Sequence, residues 1–120
     1  IDPELGSEDS CKGVPPPFLQ LPAHSTPGGL CVYTGSQFPQ EYYGDIFVAC
    51  YGSWERVVPV GYKIVRINIE NGQVAGTEDF ATGWLVHEQA WGRPTDVIQG
   101  SDGSLLVSDD RAGAIIRIYR

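Results

Sequence analysis

Between two apolar stretches lies YGSWERVVPVGY (51–62), in which Trp54, Glu55 and Arg56 place an indole, a carboxylate and a guanidinium on consecutive positions. A plain turn needs none of them. Loops on a rigid scaffold often carry binding groups, so the cluster is a candidate ligand contact; the other reading is a surface loop anchored by Trp54 on a neighbouring structural unit. Asp109 and Asp110 form a tempting acidic pair. Adjacent residues on a strand point to opposite faces, which argues against shared acid-base work, and one of the two is expected to cap the turn at 111–113. His87, in LVHEQAW, has no second ligand at metal spacing and reads as solvated in an edge loop. The sequence contains no Gly-x-Ser-x-Gly elbow, phosphate loop or His-Glu-x-x-His motif.

Cys11, Cys31 and Cys50 lack the CxxC spacing of zinc and redox motifs. Two readings stand. The cysteines serve as small buried hydrophobes on strands, or one pair forms a disulfide in a secreted protein, with Cys11 the most plausible bridging member and either of the others its partner.

The elements that must hold these groups are short strands. In 120 residues, 42% hydrophobic residues can bury one modest core, and 15 Gly with 9 Pro favour turns over long helices. The formal charge of −7 repels phosphate backbones and anionic lipid, so nucleic acid is excluded as a partner, and no apolar run is long enough to span a membrane. Residues 1–28 are proline-rich and aperiodic, an extended connection in which PPPFLQLP is expected to bury Phe18, Leu19 and Leu21. From Leu30 onward strand patterns follow one another: LCVYT, DIFVACY, YKIVRINIE, a weak QVAGTEDF, TDVIQ, SLLVSD and AIIRIY. Turn signals separate them at 70–72, 101–104 and 111–113. Helix content should be close to nil.

The strands repeat. DIFVACY with YKIVRINI and SLLVSDD with AIIRIY share an apolar strand, a break, and a strand reading Ile-Val-Arg-Ile or Ile-Ile-Arg-Ile, centred on Arg66 and Arg117. A repeat of roughly 40 to 50 residues with about four strands marks a β-propeller blade, and a ring needs about four to eight blades. The expectation is an all-β fragment of a larger propeller. Residues 1–28 form a connection, 29–92 the penultimate blade with a long inserted loop, and 93–120 an incomplete last blade. A strand from elsewhere in the polypeptide is expected to complete that last blade, making the C-terminus native and the N-terminus not.

The pattern from residue 22 to 120 resembles the C-terminal part of the pyrroloquinoline-quinone (PQQ)-dependent sugar dehydrogenases, in the sorbosone dehydrogenase-like branch that includes secreted fungal pyranose dehydrogenases. The resemblance lies in HSTPGGL with the following VYTG, in GDIFVA, in the Gly-Ser-Trp turn, and in GRPTDV before DGSLLVSDD. It implies the last one to two blades of a six-bladed propeller that carries PQQ over its central channel together with calcium. The reaction implied is oxidation of a sugar by hydride transfer to the quinone, with electrons passing to an external cytochrome or quinone acceptor. It also implies a secreted, extracellular protein, or a periplasmic one in a bacterium. The histidine base and the calcium ligands of that family lie in earlier blades and are assigned to no residue here.

The resemblance places five residues of this chain at the cofactor. Arg93 stands near the cofactor carboxylates, and Thr95 stands where related bacterial enzymes carry a second arginine, which weakens the anionic clamp. His24 falls where the family makes a polar contact to the quinone. Trp54 would stack on sugar or cofactor and Arg56 would neutralise cofactor charge, while Tyr51 replaces a frequent histidine and Glu55 an asparagine. Two other classes share the same strand grammar: a non-catalytic propeller interaction module, and a calcium-dependent, lactonase-like hydrolase.

Overall fold

In the computed structural model, the described residues are Gly6 and 12–120. Cys11 lies outside them. Nine strands follow in order: β1 (Pro27–Val32), β2 (Ile46–Cys50), β3 (Lys63–Glu70), β4 (Gln73–Ala81), β5 (Leu85–Val86), β6 (Gln89–Ala90), β7 (Pro94–Gln99), β8 (Leu105–Asp109) and β9 (Ala114–Ile118). Helix among the described residues is a single 3-10 turn at Gln40–Tyr42. The protein is all-β.

The strands form antiparallel sheets in the order β1-β2-β3-β4 and β7-β8-β9, joined by the small hairpin β5-β6. Each large sheet is a meander of neighbours in sequence, as in a propeller blade. QVAGTEDF, weak as a pattern, becomes the nine-residue β4. Its polar residues are tolerated because it is an edge strand, and its pairing is set by the Asn71-Gly72 turn, where both residues have positive φ (52° and 75°).

Strand alternation divides β2 between two cores. Phe47 and Ala49 join Tyr33, Ile64, Val97, Leu105 and Val107 in the main core between the two sheets. Val48 and Cys50 join Val65 and Ile67 on the outer face, where Leu19 and Leu21 cover them. The proline-rich segment is thus held by two leucines two residues apart. Phe18, expected to be buried with them, is exposed, because an extended segment turns alternate side chains away from the surface it covers.

Burying these side chains contributes about 1.5–3 kcal/mol each for residues the size of Phe47, Ile64 or Leu105. The seam also has polar ties. The Tyr33 hydroxyl donates to the Gly103 carbonyl at 2.9 Å, and the Thr34 N–H donates to Gln99 Oε1 at 2.7 Å. The tightest approach is between β1 and β7: a Cβ on Gly28 would collide with the Thr95 carbonyl, and one on Gly29 with the Asp96 side chain.

The arginines of the repeat occupy equivalent places. Arg66 on β3 donates to Asp45, just before β2, at 2.6 Å and to Glu78 on β4 at 2.7 Å, beneath the Tyr42 ring. Arg117 on β9 donates to Asp102, in the turn before β8, beneath the Tyr119 ring. Arg66 is buried and Arg117 is half exposed, since no strand among the described residues covers β9 as β4 covers β3.

Cys31 packs on the main core and Cys50 belongs to the outer cluster, so they lie on opposite faces of one sheet, and both are free thiols.

Candidate functional site

Arg93 enters β7 from the seam and is 5% exposed. Its guanidinium donates to the carbonyls of Gly52 and Ser53, both at 3.2 Å, and to the Tyr62 hydroxyl at 3.1 Å, with a longer contact to the Tyr51 carbonyl at 3.5 Å. The rings of Tyr51 and Tyr62 lie 4.8 Å from it and that of Trp54 5.3 Å. Every one of these partners is neutral. Its Nε is buried without a hydrogen-bond partner, so the positive charge is only partly satisfied.

The loop after β2 is shaped to receive that guanidinium. Tyr62 holds φ at +57°, which a side-chain-bearing residue adopts only when its surroundings compel it. Its ring lies where a Gly52 Cβ would fall, 2.6 Å from ring atoms, and its hydroxyl donates back to the Ser53 carbonyl. Gly52 therefore lets the ring close over the loop and turns its own carbonyl to Arg93. From the other side, Asp109 Oδ1 accepts the N–H groups of Arg93 at 2.9 Å and of Ala112 at 2.7 Å. Asp109 thus caps the turn, as one of the acidic pair was expected to do. Asp110 points away into solvent and accepts from the Tyr51 hydroxyl at 3.1 Å, a bond that raises the Tyr51 pKa.

The five residues assigned from sequence fall into two groups. Trp54 is 71% exposed, with its ring against the buried Arg93. Thr95 is half-buried, and its hydroxyl donates to the Arg93 carbonyl at 3.2 Å. Arg56 is exposed on the same loop and donates to the Ala23 carbonyl at 3.1 Å, tying the loop to the preceding connection. His24 is exposed at φ +67° and lines a separate cleft with Leu19, Leu21 and Val48 over the outer cluster. Arg93, Trp54 and Thr95 thus share one neighbourhood, while Arg56 is tied to the residue before His24, which faces another cleft.

Tyr62 was not singled out from sequence. Its signal was the Gly-Tyr pair at the entry to β3, where the loop had to turn back. Among the described residues no cluster of three or more His, Cys, Asp or Glu could hold a metal ion, and no helix is long and apolar enough to cross a membrane.

The TrAA12-like family model matches residues 3–120. A protein of Borreliella burgdorferi, described only as an uncharacterized protein, is 41% identical over 107 residues, covering 87% of this chain and 28% of that protein. Among solved structures, the holo PQQ domain of pyranose dehydrogenase from Coprinopsis cinerea is similar with a TM-score of 0.66 and 25% identity, over 87% of this chain and 29% of that one. A Trichoderma reesei enzyme of carbohydrate-active family AA12 gives a TM-score of 0.61 at 23% identity, over 78% of this chain and 24% of the other, and has been solved with iodide and with calcium. A glucose dehydrogenase shares the fold at a TM-score of 0.67 and 20% identity, over 91% of this chain and 28% of its own. The chain spans less than a third of the length of each of these relatives. With a model match running almost from end to end, the chain belongs to the TrAA12-like family, and its two sheets are blades of that family's propeller.

Proposed function

We propose that this chain forms part of the cofactor face of a PQQ-dependent oxidoreductase that oxidises a sugar, a pyranose in the first instance. The observation that supports this most is Arg93: a buried guanidinium with only neutral partners, an unpaired Nε and three aromatic rings around it. Such a group attracts an anion, and a planar tricarboxylate suits it in both charge and shape.

PQQ held there would supply a two-electron acceptor for the hydride of the sugar carbinol, to be reoxidised by an external cytochrome or quinone. The chain's own residues bind and orient. Arg93 supplies a fixed positive field while its N–H groups hold the loop at Gly52 and Ser53. Trp54 offers an exposed ring face to a flat ligand, and Arg56, tied to the Ala23 carbonyl, adds positive charge at the rim. Thr95 keeps the space beside Arg93 polar without a second cation, and His24 would reach the ligand only from the far side of its turn. Calcium belongs to the longer protein, a reading the calcium structure of the Trichoderma relative supports. Secretion, or export to a periplasm, is part of the same reading.

Equilibrium dialysis of PQQ against the full-length protein tests it. Arg93→Gln should weaken binding about tenfold or more, the usual effect of losing a charge-assisted contact. Unchanged affinity in that variant, with the fold intact by circular dichroism, would remove Arg93 from the site and the reading with it.

A further inference from the structure

The hairpin between the two blades displays a second aromatic surface that the quinone reading does not use. Trp91 is 52% exposed, yet its ring is fixed. Its Nε1–H donates to the Gly83 carbonyl at 2.6 Å, its backbone N–H to the Trp84 carbonyl at 3.1 Å, and its ring stacks on that of buried Trp84, with centroids 6.4 Å apart and planes at 12°. One face is spent on Trp84. The rest of the ring borders an open cleft of about 450 Å³ lined by Val86, His87, Gln89 and Ala90.

The hairpin tip adds a second observation. His87 and Glu88 connect β5 to β6 with φ of +47° and +62°, conformations that a two-residue turn normally gives to Asn and Gly. Keeping side chains there costs backbone energy, a pattern associated with functional positions. Both side chains retained are polar, and that of His87 lines the cleft beside the ring.

We propose that Trp91 is a stacking platform for a neutral pyranose unit of a glycan, with His87 and Gln89 as hydrogen-bond partners for its hydroxyls. A pyranose presents a flat face of C–H bonds and a rim of hydroxyls. A rigid indole matches the first, and an imidazole and an amide match the second. The formal charge of −7 disfavours the nucleic-acid bases that could also stack there, and the polar rim disfavours an apolar protein surface. A platform of this kind would hold a chain end or a distal unit of an oligosaccharide, whichever group is oxidised elsewhere. The inference does not need the cofactor, so its failure and that of the quinone reading are separable.

The test is a titration of the isotopically labelled full-length protein with cellohexaose, without quinone, following the indole N–H signals. The Trp91 signal should shift saturably. Trp91→Ala should weaken binding about tenfold, and Trp91→Phe should retain most of it, as expected for the loss or retention of one aromatic stack. His87→Ala and Gln89→Ala, both at exposed positions, should each weaken binding even if Trp91→Ala fails to fold. Tyr43→Ala, at an exposed position outside this cleft, should leave this affinity unchanged. An unmoved Trp91 signal, or binding that survives in Trp91→Ala, overturns the proposal.

Discussion

Arg93 does two things with one side chain: it sews the loop at residues 52 and 53 to the second blade, and it leaves a partly satisfied charge inside the seam. Arg93→Ala would take a donor from the carbonyls of Gly52 and Ser53 and from the Tyr62 hydroxyl, the last two keeping the bond between them, which should cost about 2–3 kcal/mol, read as a lower urea midpoint at unchanged m-value. Arg93→Lys keeps the charge but not the planar fork, and should recover only part of that loss. The importance of Arg93 was legible in the Gly-Arg-Pro motif. Its partners were not, because they are main-chain carbonyls of a loop some forty residues earlier, and no residue type advertises a carbonyl.

Cys31 offers a second check on single residues. Burial, with a smaller contribution from Asp96, raises its pKa from an ordinary 9.0 to about 11. The thiol should therefore alkylate slowly at pH 8 and speed up only as the pH approaches 11, followed by peptide mass spectrometry. A folded-state pKa above the unfolded one means the stabilising effect is complete below pH 9.0 and is lost as the pH climbs towards 11.

Among the elements, the arginine on the third strand of each sheet is the recurrent device. Hydrogen bonds from the Ser104 hydroxyl and N–H, with a smaller contribution from Arg117, hold the Asp102 carboxyl at about 2, down from 3.8. This is a lowered carboxylate, so its contribution is present above pH 3.8 and disappears as the pH falls through about 2. Asp102→Asn should flatten that part of the acid unfolding curve monitored by tryptophan fluorescence. The strand order was readable from alternation and turn residues. The strength of β4 was not, since an edge strand is made by its partner's backbone and QVAGTEDF lacks the apolar alternation that marks a half-buried one. The outward turn of Phe18 escaped for a similar reason: without a sheet to lie on, an extended segment has no assigned inside.

At the scale of the whole molecule, the second sheet leaves β9 as an edge, with Ile98 and Ile115 exposed on its outer face. An uncovered apolar edge of this kind invites pairing with another chain. The 120-residue chain alone should therefore associate reversibly in light scattering coupled to size exclusion, and Ile115→Lys should shift it towards monomer. The propeller character was visible in the repeat around Arg66 and Arg117. The cleft that His24 lines was not, because Leu19, Leu21 and Val48, which share it, come from segments apart in sequence.

The two glycines of β1 bear on the geometry of the complete ring. Gly28 and Gly29 let the first strand of one blade approach that of the next so closely that the Thr95 carbonyl and the Asp96 side chain occupy the space a Cβ would need. If these first strands line the inside of the closed propeller, their spacing sets the wedge angle between adjacent blades, and the wedge angles must sum to a full circle. An alanine at either glycine would prise the inner edges apart and narrow the wedge here. The remaining seams, however distant in sequence, would then have to open by the same amount for the circle to close.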